Sequence, residues 1–154
     1  MAYKFIHIKI SHHRTLLWIL AFIITISSAV YQRLTGPTYP MRGELELGGN
    51  QISYKLLRSE TTDKDVQIRI IAPDTSINGY VLYKRFKSHD EMTRVPLQRD
   101  GETLNARLPQ QPPAGKLLYY VYLVQGQNRV SLTGEEPVIL RYKGPVPAYV
   151  LIPH

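Results

Sequence analysis

Between Glu44 and Lys143 apolar and polar residues alternate with a period of two, in short runs that end at turn-forming residues. That period sends successive side chains to opposite faces of an extended chain, so the runs predict strands with one face towards a core. They cover Glu44–Leu47, Ile52–Arg58, Val66–Ala72, Tyr80–Lys87, Arg94–Gln98, Leu104–Leu108, Leu117–Gln125, Arg129–Leu132 and Val138–Lys143. Gly48-Gly49-Asn50, Pro73-Asp74, Asn78-Gly79, Asp100-Gly101, Pro112-Pro113-Ala114-Gly115, Gly126-Gln127-Asn128 and Gly134 supply the turns between them. No helical period is present after residue 33. In the run from Leu117, the residues Leu117, Tyr119, Val121 and Leu123 share one face and Leu118, Tyr120, Tyr122 and Val124 the other. Both sides of that strand need cover, which makes it central. The expectation is an all-β domain, a sandwich in preference to a barrel.

Ahead of this region the pattern changes. Thr15–Gln32 (TLLWILAFIITISSAVYQ) is uncharged and has no polar face. As a helix at about 1.5 Å per residue it extends roughly 27 Å, enough to cross a bilayer. Lys4, Lys9 and Arg14 precede it without an acid, whereas Arg33 and Arg42 after it are offset by Glu44 and Glu46. This bias places the N-terminus in the cytoplasm, with Trp18 and Tyr31 at the two headgroup levels. A secretory signal peptide is the alternative, with an apolar region from Leu16 to Ile26 and cleavage after Ala29 in Ser27-Ser28-Ala29. The apolar stretch continues through Val30 and Tyr31 and the N-terminal region is long, which favours a retained anchor. Either way residues 33–154 are exported.

Composition then narrows the choices. A chain of 154 residues that is 44% hydrophobic and 20% charged is not disordered throughout and fits one modest domain. Cysteine is absent, which excludes disulfides, thiolate metal sites and a Cys nucleophile. The net charge of +7 falls to +4 once Lys4, Lys9 and Arg14 are set aside. The remaining cations are scattered among acids, as in Val66-Gln67-Ile68-Arg69-Ile70, so no nucleic-acid partner is expected.

The segment from Gly79 to Val124, GYVLYKRFKSHDEMTRVPLQRDGETLNARLPQQPPAGKLLYYVYLV, resembles the middle of the fibronectin type III-like or immunoglobulin-like modules of bacterial envelope proteins. The shared features are a strand with Tyr-Lys-Arg, a Val-Pro-Leu strand, an Asp-Gly turn, an Ala-Arg-Leu-Pro strand end, and a Pro-Ala-Gly turn into Leu-Leu-Tyr-Tyr-Val. The resemblance implies a β-sandwich of that type and a tyrosine corner at Tyr119, with Tyr120 as the next candidate. The Trp of the immunoglobulin pattern is missing, since Trp18 lies in the apolar run. These are packing and turn motifs, so the resemblance implies fold far more than function.

Candidate chemistry is sparse. The acid pairs Asp63/Asp65, Asp90/Glu91 and Glu135/Glu136 fall in turns, where carboxylates are solvated, and none has the setting of a general acid–base pair. His89 precedes Asp90, but no nucleophile elbow accompanies them. His7, His12 and His13 read as interfacial polar residues, so neither a metal nor a cofactor is expected. Tyrosines carry more promise: Tyr80 and Tyr83 lie on opposite faces of one strand, and Tyr120 and Tyr122 share a face of another expected to neighbour it. These four form the candidate interaction surface. The tail GPVPAYVLIPH leaves Val146, Tyr149, Val150, Leu151 and Ile152 to be covered, by the anchor, the bilayer surface or a further membrane segment.

The organisation expected is a cytoplasmic basic segment (1–14), a transmembrane helix (15–32), a linker (33–43), a fibronectin type III/Ig-like β-sandwich (44–143) and a membrane-proximal tail (144–154). The expected setting is a bacterial inner membrane with the β-domain in the periplasm. The expected role is a binding or scaffold module in a complex with other membrane or envelope proteins, with Ser27, Ser28 and Ala29 as small residues for helix contacts. A glycan-binding module using exposed Tyr is the alternative, and an envelope hydrolase is least favoured.

Overall fold

The computed structural model describes residues 3–145, with side chains from His13 onward. The chain divides into two compact units at Pro37/Thr38. The first is a single helix, α1 (Tyr3–Thr35). It continues through Arg14 and Arg33, beyond both ends of the apolar run, because no Gly or Pro interrupts the sequence before Gly36-Pro37. Its stretch His13–Thr35 is long and apolar enough to cross a membrane, and none of it is buried. Leu16, Leu17, Trp18, Ile19, Leu20, Phe22, Ile23 and Ile24 are exposed all round the helix, as is Tyr31. The hydroxyls of Thr25 and Thr35 donate to the carbonyls of Ala21 and Tyr31, each at 2.8 Å, which satisfies them within the helix.

The second unit is built from strands β1 (Met41–Leu47), β2 (Asn50–Leu56), β3 (Ser59–Thr61), β4 (Val66–Ile71), β5 (Asn78–Arg85), β6 (Thr93–Pro96), β7 (Gln98–Asp100), β8 (Thr103–Leu108), β9 (Lys116–Gln125), β10 (Asn128–Ser131) and β11 (Val138–Lys143). One sheet has the order β1-β2-β4-β8-β7; the other has β3-β11-β9-β5-β6, with β10 also paired to β9. Alternate residues of both sheets, among them Ile52, Ile68, Leu104, Val121 and Leu140, meet in one buried core. This is the two-layer arrangement of a β-sandwich. Strand β9 is central, as its pattern predicts, between β5 on one side and β10 and β11 on the other.

Two runs that read as single strands are divided between the layers. The run Ile52–Arg58 leaves the first sheet after Leu56, and its Arg58 carbonyl accepts the Arg141 N–H of the second, where β3, just beyond the run, pairs parallel with β11. The run Arg94–Gln98 splits around Leu97, which is buried, so that β6 pairs with β5 and β7 with β8. Local alternation cannot report such a switch, because the period continues while the partner strand changes.

One end of the sandwich is closed by polar bonds. The Arg99 guanidinium donates to the carbonyls of Ala72 (2.8 Å), Asp74 (2.9 Å), Ile77 and Gly101. The Asp74 carboxylate accepts from the Ser76 backbone N–H, Asn50 Nδ2 and Gln125 Nε2. Those bonds, led by Ser76, hold its pKa below the ordinary carboxylate value.

Candidate functional site

Pairing of β5 with β9 sets Tyr80 opposite Tyr122, Leu82 opposite Tyr120, and Tyr83 opposite Tyr119. Since Tyr119 is buried in the core, Tyr83 points inward with it and packs against the core. Tyr80, Tyr120 and Tyr122 stand together on the outer face. The Tyr80 and Tyr122 rings stack at 5.2 Å between centroids, and Tyr120 stacks on Tyr122 at 6.3 Å. The structure therefore gathers three of the four tyrosines singled out in the sequence.

Two cations complete the row. Arg94, on β6, lies 3.8 Å above the Tyr80 ring, and Arg129, on β10, lies 5.3 Å from the Tyr122 centroid. Arg94, Tyr80, Tyr122 and Arg129 thus form a column that crosses β6, β5, β9 and β10 diagonally, since Arg94 pairs opposite Leu82 and Arg129 opposite Val124. Each guanidinium lies over the electron-rich face of a ring, the favourable placement for a cation, and neither is used up in an ion pair. Tyr80 is only 9% exposed beneath this cover, whereas Tyr120 and Tyr122 remain half-exposed. The arginines were not singled out in the sequence. Their position beside the tyrosines depends on strand order, which neither Thr93–Pro96 nor Asn128–Ser131 reveals.

The electrostatics of this sheet are one-sided. Strands β5, β6, β9, β10 and β11 contain Lys84, Arg85, Arg94, Lys116, Arg129, Arg141 and Lys143 but no Asp or Glu. The one acid in the sheet, Glu60 on edge strand β3, pairs with Lys64 at 3.8 Å. By contrast, the outer positions of β1 and β2 interleave Arg42, Glu44, Glu46 and Lys55. An open groove of about 820 Å³ on that first sheet is lined by Arg42, Glu44, Ser53, Tyr54, Lys55 and Arg69 among others, with Glu44 its single carboxylate. Gln51 Nε2 donates to that carboxylate at 3.0 Å.

The remaining candidates do not converge. Arg85 grips both oxygens of Asp90, at 2.6 and 2.8 Å, and holds its pKa far below the usual range. Asp65 accepts the backbone N–H of Gln110, Asp63 is exposed and held low by the Thr61 side chain, and Glu135 and Glu136 are exposed. Among the described residues no three of His, Asp or Glu come together as metal ligands. Trp18 and Tyr31 are both exposed on α1. Tyr149, Val150, Leu151 and Ile152 lie outside the described residues, as do the side chains of His7 and His12.

The expected tyrosine corner is redistributed. Tyr119 Oη donates not to the preceding loop but to the carbonyl of Leu57, 62 residues earlier, at the point where the chain passes from β2 to β3. Tyr142, on β11, donates instead to the carbonyl of Pro109 in the loop before β9. Tyr120, the second candidate, faces outward. Comparison of the sequence with models of known protein families and with curated proteins finds no match.

Proposed function

We propose that this protein is a membrane-anchored, extracytoplasmic binding module, an accessory part of a membrane complex. The observation that carries the reading is the outer face of the second sheet, where stacked Tyr and Arg side chains stand among Lys84, Lys116, Arg141 and Lys143 with no acid on the same strands. A sheet surface serving only as a solvated face would interleave both signs, as the first sheet does. Aromatic residues and Arg are the side chains enriched where proteins bind one another. The rings of Tyr80 and Tyr122 stack on each other and each lies under a guanidinium, which leaves Tyr120 as the more open ring; so small an open aromatic area favours a protein partner over a glycan.

The finer fold assignment belongs to the same proposal. Labelling β2, β4, β5, β7, β8, β9 and β11 as A to G gives A-B-E-D in one layer and C-F-G in the other, the order of immunoglobulin-like sandwiches. This supports a fibronectin type III/Ig-like module. Lys4, Lys9 and Arg14, which precede the apolar run within α1, support an N-terminus in the cytoplasm and a β-unit in the periplasm of a bacterial envelope.

The test is purification of the full chain from membranes in mild detergent, with identification of accompanying proteins. A protein partner recovered in constant ratio is the expected outcome. Recovery of the chain alone, with binding on a glycan array that Tyr120→Ala and Tyr122→Ala abolish, would instead select the glycan reading.

A further inference from the structure

Resting on that reading of the second sheet as a binding face, we infer that its partner presents an extended segment with two carboxylates four residues apart and an apolar side chain midway between them. Arg94 and Arg129 are exposed, and neither has a hydrogen bond or ion pair among the described residues. Successive spacings of 3.8, 5.2 and 5.3 Å along the column put their guanidinium groups at most roughly 14 Å apart. An extended chain advances about 3.4 Å per residue, so four steps cover that distance. With a period of two, residues i, i+2 and i+4 point to the same side. Carboxylates at i and i+4 therefore reach the two arginines while residue i+2 rests on the half-exposed rings of Tyr120 and Tyr122. Guanidinium groups already held over rings by cation–π attraction can offer their N–H forks to carboxylates with less loss of side-chain freedom than mobile arginines.

Other occupants fit less well. A lipid surface is met by apolar side chains that protrude into it. Here Leu82, Leu118, Val124 and Ile139 are half-buried, and the exposed large apolar residues of this unit, Tyr39 and Ile71, lie elsewhere. A second copy would bring an equally cationic face. Nowhere in the chain do two acids stand four residues apart: Glu44/Glu46 and Asp63/Asp65 are two apart, and Glu135/Glu136 are adjacent.

The experiment uses the full chain in phosphatidylcholine nanodiscs and fluorescent, end-blocked peptides with the core Glu-Thr-Tyr-Thr-Glu. Binding at least tenfold tighter than to Gln-Thr-Tyr-Thr-Gln is expected, and several-fold tighter than to Thr-Glu-Tyr-Glu-Thr. Arg94→Gln and Arg129→Gln should each weaken binding about tenfold, with Arg94→Lys recovering only part. Equal binding of the acidic and amide peptides, or variants that bind like the wild type, overturns the inference. Co-flotation of the phosphatidylcholine nanodiscs with phosphatidylglycerol vesicles, lost in the Arg94→Gln/Arg129→Gln variant and unaccompanied by peptide binding, also overturns it, by assigning the face to lipid headgroups. Co-purification from membranes separates this failure from that of the broader reading. A protein recovered equally with the wild type and with the Arg94→Gln/Arg129→Gln double variant leaves the module standing on another surface; none recovered with either removes both.

Discussion

Tyr119 and Tyr142 are the largest fully buried side chains, and each carries a hydroxyl that burial would leave stranded without a partner. Each has one: a carbonyl at the crossing between sheets for Tyr119, and a carbonyl of the loop before β9 for Tyr142. Burial pushes the Tyr119 phenol well above its ordinary range and that of Tyr142 up to about 12. Both phenols hold their protons more tightly folded than unfolded. Their contribution to stability is therefore full below the unfolded value of about 10 and is lost as pH rises from there through about 12. Alkaline unfolding followed by circular dichroism should coincide with late ionisation of tyrosine in the ultraviolet spectrum; early and complete ionisation without unfolding would contradict it. Tyr119→Phe and Tyr142→Phe keep the ring but orphan a carbonyl, and each should lower unfolding free energy by about 1–2 kcal/mol. Alternation along the strand gives the face that Tyr119 shares with Leu117, Val121 and Leu123, and the resemblance to fibronectin type III-like modules marks it as the corner candidate. Its acceptor was not legible, because Leu57 becomes a neighbour only once two sheets have closed.

At the scale of elements, the long strands followed from alternation, while β3 and β7 did not. Each has three residues, too few to show a period, and each forms only because a partner edge is waiting on β11 or β8. The first strand begins at Met41, ahead of the expected Glu44, since Gly43 interrupts the apolar pattern that Met41 and Leu45 share. Two backbone positions test whether the β5–β9 pairing and the turn before β9 are as tightly set as their geometry indicates. A Cβ at Gly79 would collide with the Tyr122 carbonyl oxygen and stand 2.7 Å from Leu97 Cδ1, in the strand pair that carries the tyrosine column. Backbone cannot yield as a flexible side chain can, so Gly79→Ala should cost about 1–3 kcal/mol. Ala114 has the opposite problem. Its φ of 66° suits glycine better than an L side chain, and its N–H is held by the Tyr142 carbonyl. Relief of that conformation makes Ala114→Gly neutral to stabilising, by up to about 1 kcal/mol. Chemical denaturation of the two variants should move the midpoint in opposite directions, and a shared direction would show that one of these sites relaxes.

For the whole molecule the decisive feature is the one most legible in the sequence, since an apolar stretch of this length needs no tertiary context to be recognised. His13–Thr35 spans about 34 Å as a helix, against a hydrocarbon core of about 30 Å. Its exposed side chains are apolar on every side, and in water that surface would oppose solubility at about 25 cal/mol per Å². In lipid the same surface costs nothing, and the threonine hydroxyls already bonded to helix carbonyls need no water. The proposed direction rests on the flanking charges: Lys4, Lys9 and Arg14 stand without an acid, while Arg33 and Arg42 are offset by Glu44 and Glu46. A reporter fused after Lys143 is expected to be active only outside the cytoplasm, and the purified chain is expected at its full 17.7 kDa rather than shortened at Ala29. Replacing Lys4, Lys9 and Arg14 with Gln should bring part of the reporter activity into the cytoplasm. Wild-type activity there would instead put the Tyr and Arg column on the wrong side of the membrane for an envelope partner.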